Sequence, residues 1–93
     1  MRTLTLHQRD FDEAEQVHAF LARELAFPDY YGGNFAALSD CLGDVCTPLR
    51  LEVYCDGASS EAYAAWFAKL CRVLIRCAWE NENLSLRVHD ERA

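Results

Sequence analysis

Positive charge is scarce in this 93-residue chain: 9 Lys and Arg stand against 15 Asp and Glu, for a formal net charge of -6. Such a field repels a phosphate backbone and favours association with something basic, so direct nucleic-acid binding is not expected. No uninterrupted apolar run of membrane-spanning length occurs, because the longest nearly apolar stretch is broken by Lys69, Arg72 and Arg76. The amino terminus, MRTLTLHQRD, also lacks an apolar stretch of signal-peptide length, and a soluble, cytoplasmic chain with no membrane partner is expected. Motifs for chemistry are equally sparse. The five cysteines include no Cys-x-x-Cys pair, Cys41 and Cys46 have no second pair at zinc-site spacing, and His7, His18 and His89 fall in three separate elements. Neither a phosphate-cradling glycine motif nor a strand-to-helix nucleophile turn is present. These absences lead to the expectation of a protein with no catalytic residue, metal or cofactor, whose cysteines are reduced and mostly fill space in the core.

What remains is one domain's worth of chain, residues 1–93, with enough apolar residues for a core. Single breakers at Pro28, Gly32, Gly33, Pro48 and Gly57 divide it into six elements. Thr3 to Leu6 alternates as a strand. Asp10 or Asp12, each with a Glu three residues on, can cap a helix whose buried stripe is Val17, Phe20, Leu21 and Leu25 and which Pro28 ends. Asn34 can cap a second helix, with Phe35, Leu38 and Leu42 at helical spacing. Leu49 to Tyr54 alternates as a strand covered on one face. Ser59 or Ser60 can cap a long helix to about Glu80, with Tyr63, Phe67, Leu70, Leu74 and Cys77 or Ala78 on one face and Trp66, Val73 and Ile75 widening it. Leu84 to Val88 forms the last strand, and residues 89–93 read as a frayed, charged tail. This order predicts an α/β fold. If both crossovers are right-handed and run in one direction, the sheet is parallel in order 1-2-3, with all helices on one face.

On the second helix, at 100° per residue from Phe35, the apolar positions cluster within about 60°, whereas Asp40 lies near 140° and Asp44 near 180°. Both carboxylates therefore face away from the core. Ala36, Ala37 and Gly43 share that side, which contains no Lys or Arg. Like charges at i, i+4 and anions near a helix carboxyl end each carry a small penalty, which suggests a purpose for the pair. The preceding Tyr30-Tyr31-Gly32-Gly33 supplies aromatic area and approachable backbone beside it, with one of the two tyrosines expected to pack under the loop.

The segment LARELAFPDYYGGNFAALSDCLGDV resembles the barstar family of intracellular ribonuclease inhibitors. The likeness runs through Leu21, Glu24-Leu25, Pro28, Tyr30-Tyr31-Gly32, Asn34, Ala37-Leu38 and Asp40-Cys41-Leu42. It implies a small α/β domain with a three-stranded parallel sheet and no enzymatic activity, which blocks a basic nuclease by placing an acidic helix and adjacent loop in its active site. By that resemblance Asp40 is the anchor and Tyr30, Gly32 and Asn34 form the inhibitory loop. Relative to the family prototype, Ala36 stands where a second aspartate is found, Ser39 where an interface tryptophan is found, and Asp44 follows Gly43 where the helix corner loses an aromatic. Arg76 falls where a further acidic contact lies. The resulting expectation is a 1:1 complex with a basic nuclease, most readily a ribonuclease toxin, made through Asp40, Tyr30, Gly32, Gly33, Asn34, Ala36, Ser39, Gly43 and Asp44. The alternative is a barstar-like interaction or regulatory module whose partner is not a nuclease.

Overall fold

A computed structural model describes residues 1–90. The elements run β1 (Arg2–His7), a 3-10 turn (Gln8–Asp10), α1 (Ala14–Glu24), α2 (Phe35–Gly43), β2 (Leu49–Cys55), α3 (Glu61–Glu80) and β3 (Leu84–Asp90). The strands pair in parallel in the order β1-β2-β3, as expected from the sequence. Alternation on β2 is complete: Leu49, Leu51, Val53 and Cys55 are buried, while Arg50, Glu52 and Tyr54 are not. The covered face packs with Leu4 and Leu6 of β1 and Leu84 of β3 against Val17 and Leu21 of α1, Leu38 and Leu42 of α2, and Tyr63, Phe67, Leu70, Leu74 and Cys77 of α3. No helix among the described residues is long and apolar enough to cross a membrane.

Three local expectations are corrected. The first helix is capped by neither Asp10 nor Asp12, which precede or lie in a turn; Glu13 caps it, in a reciprocal capping box with Gln16. It ends before Pro28 is reached. Ala26 adopts a left-handed φ of 54°, and the Phe27 N–H donates to the Ala22 carbonyl at 2.9 Å, the closure that glycine usually provides. On α3, Ser60 is the cap, one of the two serines expected, accepting from the Tyr63 N–H at 3.1 Å. Ile75, expected to widen the buried face, is 44% exposed, about 120° around the helix from the stripe centred on Tyr63 and Leu74.

The tail expectation is also corrected for residues 89 and 90, which continue β3; residues 91–93 lie outside the described residues. His7, Tyr54 and His89 sit at matching register on the uncovered face. Their rings stack in a row, with centroids 4.6 Å and 4.3 Å apart. His89 Nε2 lies 2.7 Å from Glu52, and that hydrogen bond holds the Glu52 carboxyl below its usual range. At the other end His7 Nδ1 lies 2.8 Å from Asp56, which also accepts from the Arg9 N–H at 3.0 Å. Burial opposes the charge on Asp56, but these bonds outweigh it and keep its carboxyl below the ordinary range. The ladder anchors β3 beyond Val88 and ties the loop after β2 to the end of β1.

Asn81 joins the ends of three elements. Its side-chain amide donates to the carbonyls of Leu42 and Val45, at 3.0 and 2.9 Å, and its side-chain oxygen accepts from the Asn83 N–H at 2.9 Å. Removing it takes one donor from each of two carbonyls where α2 ends, leaving Leu42 with the Val45 N–H and Val45 with the Asn83 amide. Asn81→Ala is expected to lower stability by roughly 1–3 kcal/mol, read as a lower urea midpoint with an unchanged slope. Ala26→Gly is expected to raise stability by about 1 kcal/mol in the same assay, because it relieves the left-handed alanine.

Candidate protein-binding site

The loop before α2 is built outward from a buried floor. Tyr31 turns inward: its N–H donates to the Pro28 carbonyl at 2.9 Å, and its ring lies 5.0 Å from that of Phe27. Its hydroxyl forms a short hydrogen bond with Nδ1 of the buried His18 of α1. His18 in turn meets the Trp66 ring edge-on at 5.4 Å, and Trp66 stacks on Phe35 at 5.6 Å. Burial, followed by the charge that Cys41 would carry, pushes the Tyr31 hydroxyl up to about 12, and burial lowers the His18 imidazole from its ordinary value. Sequence reasoning placed one of the two tyrosines under the loop, as Tyr31 is, but missed the rest of this floor. Its signal was the recurrence of His18, Tyr31, Phe35 and Trp66 as aromatic rings on elements that converge on one loop.

With Tyr31 fastened below, Tyr30 is left 87% exposed. Gly33 has a φ of +65°, so the turn into α2 needs a residue tolerant of left-handed backbone. A side chain at Gly32 would press on the Asn34 amide at 3.2 Å. Asn34 then starts the helix, its Oδ1 accepting from the Ala37 N–H at 2.8 Å.

Leu38 and Leu42 lock α2 to the core, and their burial leaves Ala36, Asp40, Gly43 and Asp44 exposed. Asp44 is the carboxyl cap of α2 rather than a residue within it. Among the described residues no ion pair involves either aspartate. Their charges still reach the helix: after burial, Asp44 and then Asp40 raise the pKa of the Cys41 thiol between them. Each buried leucine contributes about 1.5–3 kcal/mol, whereas the like-charge pair costs only a few tenths. Packing thus holds two uncompensated carboxylates on the surface at little net cost.

Ser39 sits at the seam between α2 and α3, half-buried, with Cys77 Sγ 3.8 Å from its hydroxyl. Arg76, next to Cys77 on α3, is exposed. The structure thus brings Tyr30, Gly32, Gly33, Asn34, Ala36, Asp40, Gly43 and Asp44 onto one loop-and-helix surface, with Ser39 at its inner edge. Among the described residues no group of three or more His, Cys, Asp or Glu side chains could hold a metal.

The His18 floor generates a pH dependence. Its folded pKa is lowered below the unfolded value, so the unfolded chain takes up the proton first; stability is complete well above the unfolded value of about 6.5 and declines as pH falls through it toward the lower folded value. The depressed carboxyls of Glu52 and Asp56 act in a separate, more acidic window. Melting temperature should therefore drop between about pH 7.5 and 5.5, and His18→Gln should flatten that drop. An unchanged slope in the variant would remove His18 from the account.

Comparison with known proteins bears on what this surface is for. The family model described as Barstar (barnase inhibitor) matches residues 1–91. A Bacillus subtilis (strain 168) protein named "Putative ribonuclease inhibitor YrdF" is 50% identical over 52 residues, which amount to 55% of this chain and 57% of that relative. The match thus spans little more than half of the relative's length. With a three-stranded parallel sheet in order 1-2-3, helices on one face and a family match along nearly its whole length, the chain belongs to the barstar family.

Proposed function

We propose that this protein is a cytoplasmic, non-catalytic inhibitor that occludes the basic active site of a ribonuclease in a 1:1 complex, in the manner of an immunity protein neutralising a toxin. One observation carries this reading: Asp40 and Asp44 are exposed without an ion pair among the described residues, on a helix face otherwise made of small residues. A nuclease site must hold phosphate oxygens with Arg, Lys or protonated His. Asp40 offers such a site a carboxylate in place of the phosphate, with charge-assisted hydrogen bonds as the attraction. The absence of bulk at Ala36 and Gly43 lets the partner's surface approach the helix closely. Tyr30 covers the margin of the contact, and the backbone of Gly32 and Gly33 lies open beside it. Asp44 and the overall net charge chiefly speed encounter, so association slows as salt rises.

Ala36, Ser39 and Arg76 point to a partner other than the one recognised by the family prototype. Two anchors are missing there, and by the family resemblance Arg76 puts a cation where the prototype has an acidic contact, which would repel a uniformly cationic partner. Specificity set this way is a difference of affinities, with Arg76 as its repulsive part. A second reading rests on α3, whose outer face leaves Trp79 86% exposed near Lys69, Arg72 and Arg76. On that reading the contact with a non-nuclease partner lies on α3, and Asp40 is dispensable.

Binding and protection measured with a panel of ribonucleases, barnase included, distinguish the two. Asp40→Ala is expected to weaken capture of the cognate ribonuclease roughly 10- to 100-fold and to abolish protection in co-expressing cells, while Asp44→Ala costs a few-fold at most. Capture that is indifferent to Asp40 would favour the α3 reading. Turnover of RNA by the pure protein would exclude the inhibitor.

A further inference from the structure

β2 ends at Cys55, and α3 carries Cys71 in its middle. The two Sγ atoms face each other at 4.0 Å across the strand–helix packing, and neither is in a disulfide. Cys55 is buried at 8% exposure, whereas Cys71 is half-buried and reachable from solvent. Buried neighbours hold both elements in place: Val53 precedes Cys55 on the same strand face, and Phe67, Leu70 and Leu74 flank Cys71 along α3. A disulfide needs a sulfur separation of about 2.05 Å. Closing the remaining gap of about 2 Å requires rotation about the Cα–Cβ bonds of two unbranched side chains together with any small shift of strand against helix that brings their backbones into disulfide range.

From this geometry we propose that Cys55 and Cys71 are a site of reversible oxidative modification, taking a low-molecular-weight organic disulfide as the oxidant. The more accessible Cys71, as thiolate, attacks one sulfur of the reagent RSSR; a mixed disulfide forms on Cys71 and RS⁻ leaves, to be protonated. Cys55, deprotonated in turn, attacks Sγ of Cys71 and expels the second RS⁻. The balance is one protein dithiol and one RSSR giving one intramolecular disulfide and two RSH. The protein loses two electrons and two protons, and the reagent gains them.

The bond would close a loop containing residues 56–60 and the first half of α3, which constrains the unfolded chain. It lies away from α2, because α3 meets α2 through Trp66, Cys77 and Asn81. At 100° per residue Cys71 sits about 120° around α3 from Cys77. The signature of oxidation is therefore stability rather than partner affinity, and the test does not depend on the inhibitor reading.

The test treats the folded wild-type protein and a Cys71→Ser variant with oxidised glutathione below the melting temperature, followed by peptide mapping and thermal melts with and without dithiothreitol. The expected result is a Cys55–Cys71 linked peptide, loss of two hydrogens from the intact mass, and a rise in melting temperature on the order of 10 °C that dithiothreitol reverses. Cys71→Ser should show neither the link nor the rise. Retention of both thiols, arrest at a glutathione adduct on Cys71, a link to a different cysteine, or a lowered melting temperature in the linked form would each overturn the proposal. A Cys41→Ser/Cys46→Ser protein given the same treatment should still form the link, and its failure to do so would count equally against it.

Discussion

Burial of only one face of a three-stranded parallel sheet is the constraint on which the rest of this molecule depends. Parallel strands need crossovers, and two right-handed crossovers running in one direction put every helix on the same side. The alternation of Leu49, Leu51 and Val53 with Arg50, Glu52 and Tyr54 expresses that layout residue by residue. Because α2 must turn Leu38 and Leu42 toward this shared core, its far side is committed to solvent. The orientation of Asp40 is thus decided by two leucines. The uncovered sheet face meets its own difficulty with a ladder of His7, Tyr54 and His89, whose rings use their faces on one another.

The acidic surface depends on a second layer of support that is aromatic rather than aliphatic. His18, Tyr31, Phe35 and Trp66 hold the loop from beneath, so that Tyr30, Gly32 and Gly33 are presented by a packed floor. A preorganised loop loses less conformational entropy on binding than a mobile one. The same floor contains an imidazole whose pKa burial lowers, which makes the loop a region where mild acid costs stability. On the proposed reading, stability and partner recognition would be coupled there through one contact, between His18 and Tyr31.

Much of this was legible in the sequence because the signals were local and periodic. Asn34 and Ser60 are caps with short side chains ahead of apolar helical spacing, and both act as caps. The three alternating stretches are the three strands, and the outward turn of Asp40 follows from its angle to Leu38 and Leu42. Failures arose where tertiary contact overrode the local rule. Glu13 took the cap because Gln16 reciprocates, and α1 closed through a left-handed Ala26 before Pro28 could act. His89 and Asp90 looked like a tail because their strand depends on stacking with Tyr54, a partner more than thirty positions away in sequence. Ile75 was assigned to the core by composition, while its angle on α3 places it among the solvent-facing residues. The role of Ser39 as a seam residue, bound to Cys77, could not be read without knowing which side of α3 receives α2.

The central claim is that the Tyr30–Asp44 surface, held outward by a one-sided core, is the part of the chain that a ribonuclease covers. The measurement that addresses it most directly is amide hydrogen exchange of the protein free and in complex with a captured ribonuclease. The account predicts new protection confined to the loop at residues 30–34, the α2 amides through residue 44 and the adjoining end of α3. Protection confined to the uncovered sheet face or to the outer side of α3, with α2 unchanged, would contradict it.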